Sequence, residues 1–343
     1  MEQWKKAFQI AAVYIGTIVG AGFATGKEII EFFSQYGFIG LFGIFISGYL
    51  FIFFGIKMMV IAVRINAKSY EQLNNYLFGP FSKLLNIFML IMLIGVTSVM
   101  LSGAGAVFEE HFFIPKFYGV ILTIVLACLV MILGTKGIVY VNSFVVPVMI
   151  GFCFFLALHA VTLPSFLDQL FQKPISERPF IGLISPFTYT AFNLALAQAV
   201  LVPLASEIKD ERVIKRGGMI GGILLTIILL ANHTILIMLP NFHIYEIPMA
   251  VMMQKLASYL YVAYIFIIYS EIFTSIIGNS YGIEKQLQNY INIHRKWLYG
   301  FIFFLAFIIS QIEYGKLLSF LYPLFGYISI IFILLLWRKS YDL

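Results

Sequence analysis

One acidic residue lies in the middle of a long apolar segment, where an ionisable side chain is costly. Glu271 is followed by Thr274 and Ser275 within the run 259–283. A carboxylate at membrane depth must be paired, hydrated or neutralised, and it usually marks a functional position. Hard cations prefer oxygen ligands, which the two hydroxyls supply beside the carboxylate. The pattern therefore predicts a site for a cation or a proton in this segment.

Each of these side chains also has an ordinary structural explanation. Serine and threonine hydroxyls inside helices commonly donate to a carbonyl one turn earlier. Glu271 can form a structural ion pair, and Lys57 is the candidate for its partner. The sequence alone leaves both explanations open.

A second unusual stretch is rich in glycine and lies near the start of the chain. Residues 16–28 read Gly-Thr-Ile-Val-Gly-Ala-Gly-Phe-Ala-Thr-Gly-Lys-Glu, inside an apolar run from 7 to 36. Glycine is about 1 kcal/mol less favourable than alanine within a helix, so this run predicts a broken spanning helix. Such breaks line binding sites, because freed backbone groups need protein or water to satisfy them. The alternative is close helix packing through the two GxxxG pairs in the stretch.

A third stretch carries polar side chains halfway along the chain. The span 182–206 contains Asn193 and Gln198 at membrane depth. Amides inside a helix bundle hydrogen-bond a neighbour or line a cavity. We therefore expect this helix to unwind near residues 192–195, where no glycine pair marks the position.

These stretches belong to a chain made mostly of apolar segments. Of 343 residues, 61% are hydrophobic and 11% are charged, whereas soluble domains carry about 25% charged residues. The chain is therefore predicted to be an all-α polytopic membrane protein with about ten transmembrane helices. The predicted spans are 7–36, 40–63, 83–108, 115–133, 139–160, 182–206, 214–239, 259–283, 296–313 and 315–337.

The basic residues predict the orientation of these spans. With a cytoplasmic N-terminus, the inside segments and their flanks hold fifteen Lys and Arg residues, and the outside segments hold five. The positive-inside rule then predicts that both termini are cytoplasmic. We expect the spans to lie in the lipid bilayer of the cell membrane. This topology accounts for the net charge of +6, so we expect no nucleic-acid partner.

Two loops are long enough to have structure of their own. The cytoplasmic segment 64–82 is predicted to hold a short amphipathic helix that ends at Gly79-Pro80. The external segment 240–258 is apolar but too short to span a bilayer. It is either an interfacial or re-entrant segment or a hydrophobic loop that rests on the helix bundle.

Sequence signals for an enzyme are absent. The chain contains no HExxH, GxSxG or Walker loop motif, which would supply a metal, a nucleophile or a phosphate cradle. Cys128 and Cys153 both lie in apolar runs and are expected to be packing residues. We therefore expect neither catalysis nor a bound cofactor.

The glycine-rich stretch carries a resemblance to a known family. Residues 16–23 resemble the first-helix break of amino acid–polyamine–organocation transporters, which share the leucine-transporter fold. The whole chain, including 24–28 and 193–210, is similar to YkvI-type bacterial membrane proteins. The resemblance implies a single transmembrane domain of two inverted five-helix repeats, approximately 7–160 and 182–337. In that fold the first and sixth helices are broken around a central site.

The resemblance also implies a site for the coupling ion. In sodium-coupled relatives an ion lies between the first-helix break and the eighth helix. The matching groups here are the carbonyls of Gly16, Val19 and Glu271 and the hydroxyls of Thr274 and Ser275. The fifth span lacks the lysine of some proton-coupled relatives, which favours Na⁺. Glu271 stands where many relatives have a neutral residue, so it is also a candidate for carrying H⁺.

The substrate is expected next to this ion. The substrate carboxylate would meet the amides of Ala21 and Gly22, because a helix N-terminus presents partial positive charge. The sixth span would complete the site, although it lacks the family's usual glycine. The predicted substrate-binding residues are Thr17, Gly20, Ala21, Gly22, Phe23, Phe192 and Asn193.

The function expected from these features is secondary active transport. The chain would move an amino acid or related small solute, driven by Na⁺ or H⁺, by alternating access between two faces. The alternative is a receptor that keeps the transporter fold and binds a small ligand without moving it. The sequence identifies no protein partner.

Overall fold

The structure, a computed structural model, describes residues 2–133, 136–288 and 295–339, which are almost entirely helical and contain no β-strand. The helices are α1 (Glu2–Ile18), α2 (Ala21–Thr25), α3 (Lys27–Phe32), α4 (Gly37–Arg64), α5 (Tyr70–Phe78), α6 (Ser82–Phe112), α7 (Lys116–Leu133), α8 (Lys136–Val161), α9 (Phe166–Leu170), α10 (Ile181–Ile208), α11 (Glu211–Leu236), α12 (Pro248–Leu256), α13 (Tyr261–Gln288), α14 (Arg295–Ser310) and α15 (Tyr314–Arg338).

Among the described residues, seven segments are long and apolar enough to cross a membrane. They are Lys27–Arg64, Tyr70–Phe112, Phe144–Val161, Ile181–Ile208, Glu211–Leu236, Ser258–Gln288 and Tyr314–Arg338. Two shorter apolar helices lie at Lys116–Met131 and Lys296–Ser310. These segments confirm the all-helical polytopic class. The count of about ten spans and the two inverted repeats stay predictions.

The first span is interrupted where its glycines lie. Helix α1 ends at Ile18, Gly20 has extended backbone (φ −125°, ψ −163°), and α2 begins at Ala21. A second interruption follows at Gly26, whose φ of +83° is left-handed. The chain therefore leaves helical geometry twice within one apolar run.

The two GxxxG pairs have different structural roles. A Cβ added at Gly16 would meet nothing within 4 Å, and one at Gly20 would lie 3.7 Å from the Ser275 hydroxyl, an ordinary contact. A Cβ at Gly22 would collide with the Glu28 carboxylate, and one at Gly26 would lie 2.6 Å from Met249 Cγ. Close packing therefore explains the second pair and not the first.

Gly26→Ala is expected to lower the free energy of unfolding by roughly 1–3 kcal/mol. Alanine would adopt a left-handed backbone there, and its methyl group would press on Met249 and Leu236. The matched control is Gly16→Ala, which adds the same methyl group in open space and should not destabilise the protein. Thermal unfolding in detergent measures both. An equal loss of stability in the two variants would contradict this explanation of Gly26.

The predicted break in the sixth span is wrong. Helix α10 runs without interruption from Ile181 to Ile208. The Asn193 amide donates to the Tyr189 carbonyl at 3.1 Å, and the Thr190 hydroxyl donates to the Pro186 carbonyl at 2.8 Å. Because these polar side chains are satisfied within their own helix, they do not require an unwound backbone.

The broken first span lies among the helices that carry the other predicted residues. Helix α2 packs against α12 and α13, and α1 packs against α10 and α11. Helix α13 also packs against α6, and α10 against α15. This arrangement places the break between α10 and α13.

Both long loops contain short helices. Helix α5 (Tyr70–Phe78) is capped by the Ser69 hydroxyl and ends at Gly79, which confirms the helix predicted in 64–82. Helix α12 (Pro248–Leu256) packs against α2, α8, α11 and α13 and buries Met249 and Met253. The segment 240–258 therefore matches the alternative of a hydrophobic segment resting on the bundle.

The orientation of the termini stays a prediction. Three of the segments predicted to be cytoplasmic, 134–138, 284–295 and 338–343, extend outside the described residues. We call the face that carries α5 the inner face and the opposite one the outer face, following the charge distribution.

Candidate functional site

A cavity of about 280 Å³ surrounds the break in the first span. Its walls come from the break itself and from α6, α10, α13 and α15. Eleven of the twelve residues predicted from sequence line it, namely Gly16, Thr17, Val19, Gly20, Ala21, Gly22, Phe192, Asn193, Glu271, Thr274 and Ser275. The structure thus brings the predicted ion and solute residues to one place, while what they bind stays untested.

Phe23 is the exception. Its side chain is fully buried in the core and does not line the cavity. Successive residues of a helix point about 100° apart. Since Gly22 faces the cavity, Phe23 on the same short helix faces the surrounding core.

The Glu271 carboxylate is buried and forms no ion pair with the described residues. Its side chain is 2% exposed, and Oε1 accepts no hydrogen bond from any described residue. Lys57, the candidate partner, donates instead to the Trp337 carbonyl at 3.0 Å. Within the described parts of the chain, the structural ion pair with Lys57 is therefore not formed.

The two hydroxyls near Glu271 differ in their availability. Thr274 Oγ1 donates to the Glu271 carbonyl at 3.2 Å, the bond expected for a threonine inside a helix. Ser275 Oγ faces the break, 3.7 Å from the position of a Cβ on Gly20. Of the predicted ion ligands on α13, Ser275 is therefore the one aimed at the broken helix.

Glu28 is a cavity residue that the sequence interpretation missed. Its side chain is 5% exposed, and Oε1 accepts no hydrogen bond from a described residue. The carboxylate lies against Gly22, with Asn193 and Tyr189 beside it. A signal was present, because the rule that selected Glu271 applies to any carboxylate inside an apolar span.

The neighbouring Lys27 does not neutralise Glu28. Its ammonium group donates to the carbonyls of His243 at 3.2 Å and Tyr245 at 2.6 Å, on the outer segment before α12. Burial and the nearby Lys27 charge lower the pKa of His243. The Lys27 charge is thus directed to the outer face.

The remaining cavity wall is apolar and aromatic. The rings of Phe192 and Tyr322 lie with centroids 4.6 Å apart. Five aliphatic or thioether side chains extend this wall: Met89, Leu93, Val96, Met100 and Leu196. The cavity therefore combines two carboxylates with a surface suited to an apolar body.

The outer side of the cavity is closed by hydrogen bonds. The hydroxyls of Thr25 and Tyr314 lie 2.7 Å apart, and Tyr264 donates to the Ala24 carbonyl at 3.4 Å. These contacts tie α2 to α15 and to α13. A solute in the cavity cannot leave past them without their separation.

A second layer lies further out, and we call its charged residues Lys27, Glu110 and Glu246 the outer lock. Glu246 accepts from the Gly315 amide at 2.6 Å, and Glu110 accepts from the Ile247 amide at 2.8 Å. Together with the two Lys27 bonds, these contacts hold the segment before α12 to α3, α6 and α15. The outer lock therefore joins the segment before α12 to three helices at this face.

The inner side of the cavity has a different character. Its lining continues past the break to Tyr70 on α5 and to Asn279 and Gly282 on α13. All three are partly exposed. The lining of the cavity therefore includes partly exposed residues towards the inner face, whereas its outer side is covered by the contacts described above.

Comparison with solved structures shows the fold. Two mutant forms of the manganese transporter of Eremococcus coleocola match with TM-scores of 0.61 and 0.59. Each of the two is 16% identical to this chain, and each match spans 97% of this chain and 79% of the transporter chain. At this identity the match shows that the chain shares the helical fold of that protein, and the superfamily itself stays a prediction.

Comparison with known sequences shows the family. No family model matches the chain. The protein YyaD of Bacillus subtilis is 23% identical over 334 residues, 95% of each chain. The membrane protein YkvI of Bacillus subtilis is 48% identical over 338 residues, covering 97% of this chain and 96% of that protein. The chain belongs to the YkvI family of membrane proteins.

Proposed function

We propose that the chain is a secondary transporter that moves an amino acid or related small solute across the cell membrane. The observation that carries the proposal is one cavity at a helix break, lined by a buried carboxylate whose Oε1 accepts no hydrogen bond from the described residues, and covered at its outer side. Broken helices at the centre of a bundle are the usual site of solute and coupling ion in transporters. Opening the outer contacts while closing the inner side would complete alternating access.

Glu271 is the proposed coupling residue. A buried carboxylate without a partner is stable only when a proton neutralises it or a cation balances it. Either event depends on which face the cavity reaches, because only that side supplies the ion. Na⁺ would be held by Glu271 and Ser275 with the carbonyls at Gly16 and Val19, and H⁺ by the Glu271 carboxyl group alone.

Ser275→Ala is expected to raise the Na⁺ concentration for half-maximal uptake by roughly 5- to 10-fold, the equivalent of one lost neutral oxygen contact. Ser280→Ala is the matched control, because Ser280 is buried on the same helix and does not line the cavity. The measurement is uptake by purified protein in liposomes at a series of Na⁺ concentrations. The Na⁺ site would be overturned if Ser275→Ala had the same Na⁺ dependence as the unmodified protein. It would also be overturned if uptake by the unmodified protein did not depend on Na⁺, and either result would leave H⁺ on Glu271.

The same liposomes distinguish transport from reception. A transporter accumulates solute against its concentration when an ion gradient is imposed, and a receptor only binds it. Ligand binding with no flux under either a Na⁺ or an H⁺ gradient would overturn the proposed function.

A further inference from the structure

The Glu28 carboxylate stands where a substrate carboxylate was expected. The resemblance to amino acid transporters places that group at the amides of Ala21 and Gly22. Here Glu28 lies against Gly22 so closely that even a methyl group there would collide with it. A substrate carboxylate at these amides would lie beside the Glu28 carboxylate, and two negative charges repel each other strongly in a cavity of low dielectric. The break is therefore poorly suited to an amino acid carboxylate.

The charge of the cavity points to a cation instead. Its described lining contains Glu28 and Glu271 and no lysine, arginine or histidine. Both carboxylates have an oxygen that accepts no hydrogen bond from the described residues. With Glu271 assigned to the coupling ion, the Oε1 atom of Glu28 is left to accept a hydrogen bond from a bound solute.

An aromatic surface lies beside this carboxylate. A Cβ on Gly22 would be 3.3 Å from Tyr322 Cε2 and against Glu28, so the ring edge and the carboxylate meet at one point. The Phe192 ring packs on Tyr322 with centroids 4.6 Å apart. An ammonium group on the Glu28 carboxylate would gain a charge-assisted hydrogen bond, and the adjoining rings would cover its apolar neighbours.

The rest of the cavity suits an organic body. Met89, Leu93, Val96, Met100 and Leu196 form one wall of a space of about 280 Å³. Burying apolar solute surface against them is favourable. A bare metal ion would make no use of this wall.

We infer that the substrate is a small organic cation, a primary amine without a carboxylate, whose ammonium group binds Glu28 and whose apolar body lies on Phe192, Tyr322 and the aliphatic wall. This inference rests on the proposed function, since it names the solute class of the same cavity. It assigns Glu28 as the residue that selects the solute, separate from the coupling role of Glu271.

The test uses matched pairs of probes that differ by one carboxylate. They are leucine and 3-methylbutylamine, phenylalanine and 2-phenylethylamine, and lysine and 1,5-diaminopentane, with MnCl₂ as a separate arm. Binding to purified full-length protein is scored by thermal stabilisation and titration at fixed pH and ionic strength. At least one amine is expected to stabilise the protein, with affinity at least tenfold above its amino acid.

Glu28→Gln is expected to weaken that amine by roughly 10- to 100-fold, the range for losing a hydrogen bond to a charged group. Glu31→Gln is the matched control: it removes the same charge from the same short helix, at a residue outside the cavity. Glu28→Asp should restore part of the affinity. The unfolding temperature of each variant without probe shows that it is folded.

Three results would overturn the inference. They are binding of the amino acids equal to or tighter than the amines, stabilisation by Mn²⁺ alone, and no stabilisation by any amine. Undiminished amine affinity in Glu28→Gln would overturn the role of Glu28. Failure of the proposed function looks different: the amines would bind through Glu28, yet no gradient would drive their uptake into liposomes.

Discussion

Glu271→Gln is expected to abolish gradient-driven accumulation of solute while leaving solute exchange across the membrane in place. Glutamine keeps the shape of the side chain and cannot change its charge. For one-to-one coupling, a gradient worth about 1.4 kcal/mol supports at most about tenfold accumulation, and the variant should lose all of it. The two measurements are uptake under an imposed ion gradient and counterflow of labelled solute without one.

Glu284→Gln is the control for Glu271. Glu284 is also a buried carboxylate on α13, but it accepts hydrogen bonds from Tyr299 and Gln288 and does not line the cavity. Glutamine at 284 should therefore leave accumulation in place. Full accumulation by Glu271→Gln would show that the ion is coupled through another group. Loss of both accumulation and counterflow would place Glu271 in solute binding itself.

Lys27→Met is expected to shift the protein towards its outward-facing state by at least about tenfold, because it removes two hydrogen bonds from a charged donor. Those bonds join α3 to the carbonyls of His243 and Tyr245 and hold the segment before α12 in place. Methionine keeps the length and apolar stem of the side chain, so the change isolates the ammonium group. Opening should expose Met249, which is fully buried behind this segment.

The measurement is the labelling rate of Met249→Cys by a membrane-impermeant maleimide added from outside, in protein lacking Cys128 and Cys153. Lys116→Met is the control: Lys116 donates to the Ile312 carbonyl at 2.6 Å and to the Ser102 hydroxyl at 2.8 Å, and neither bond holds the segment before α12. Faster labelling is expected in Lys27→Met alone. Equal labelling rates in Lys27→Met, Lys116→Met and the protein with neither change would show that Lys27 does not hold the outer face closed.

The first-span break could be predicted because glycine leaves a direct sequence signal. Four glycines within eleven residues of a spanning segment predict either a break or a close packing surface, and the structure interrupts the helix at Gly20 and again at Gly26. Glu271 was predicted in the same way, because a carboxylate inside a spanning segment is costly. Predictions of this kind depend on the cost of one residue type in one environment, which needs no tertiary information.

The sixth-span break was predicted wrongly because a polar side chain has more than one way to be satisfied. An amide at the position of Asn193 is expected to hydrogen-bond a neighbour or to line a cavity, and Asn193 does line the cavity. Yet its amide donates to the Tyr189 carbonyl of its own helix. The choice between these states depends on neighbouring helices, and a single sequence does not show it.

The contrast between Glu28 and Phe23 shows where a motif misleads. Both lie in the stretch that carries the family resemblance, and the resemblance assigned a substrate role only to Phe23. The structure buries Phe23 in the core and brings the Glu28 carboxylate to Gly22. The second interruption at Gly26 turns the chain so that Glu28 reaches back to the cavity, and spacing alone does not reveal this turn.

The central claim is that the cavity at the first-helix break is a transport site. Its most direct test is uptake of the matched amine and amino acid probes by the purified protein in liposomes, with Na⁺ and H⁺ gradients imposed separately and then collapsed with ionophores. The structure leads us to expect accumulation under one of these gradients, its loss on collapse, and its loss in Glu271→Gln. Specific binding of a probe with no flux under either gradient would contradict transport and leave a membrane receptor.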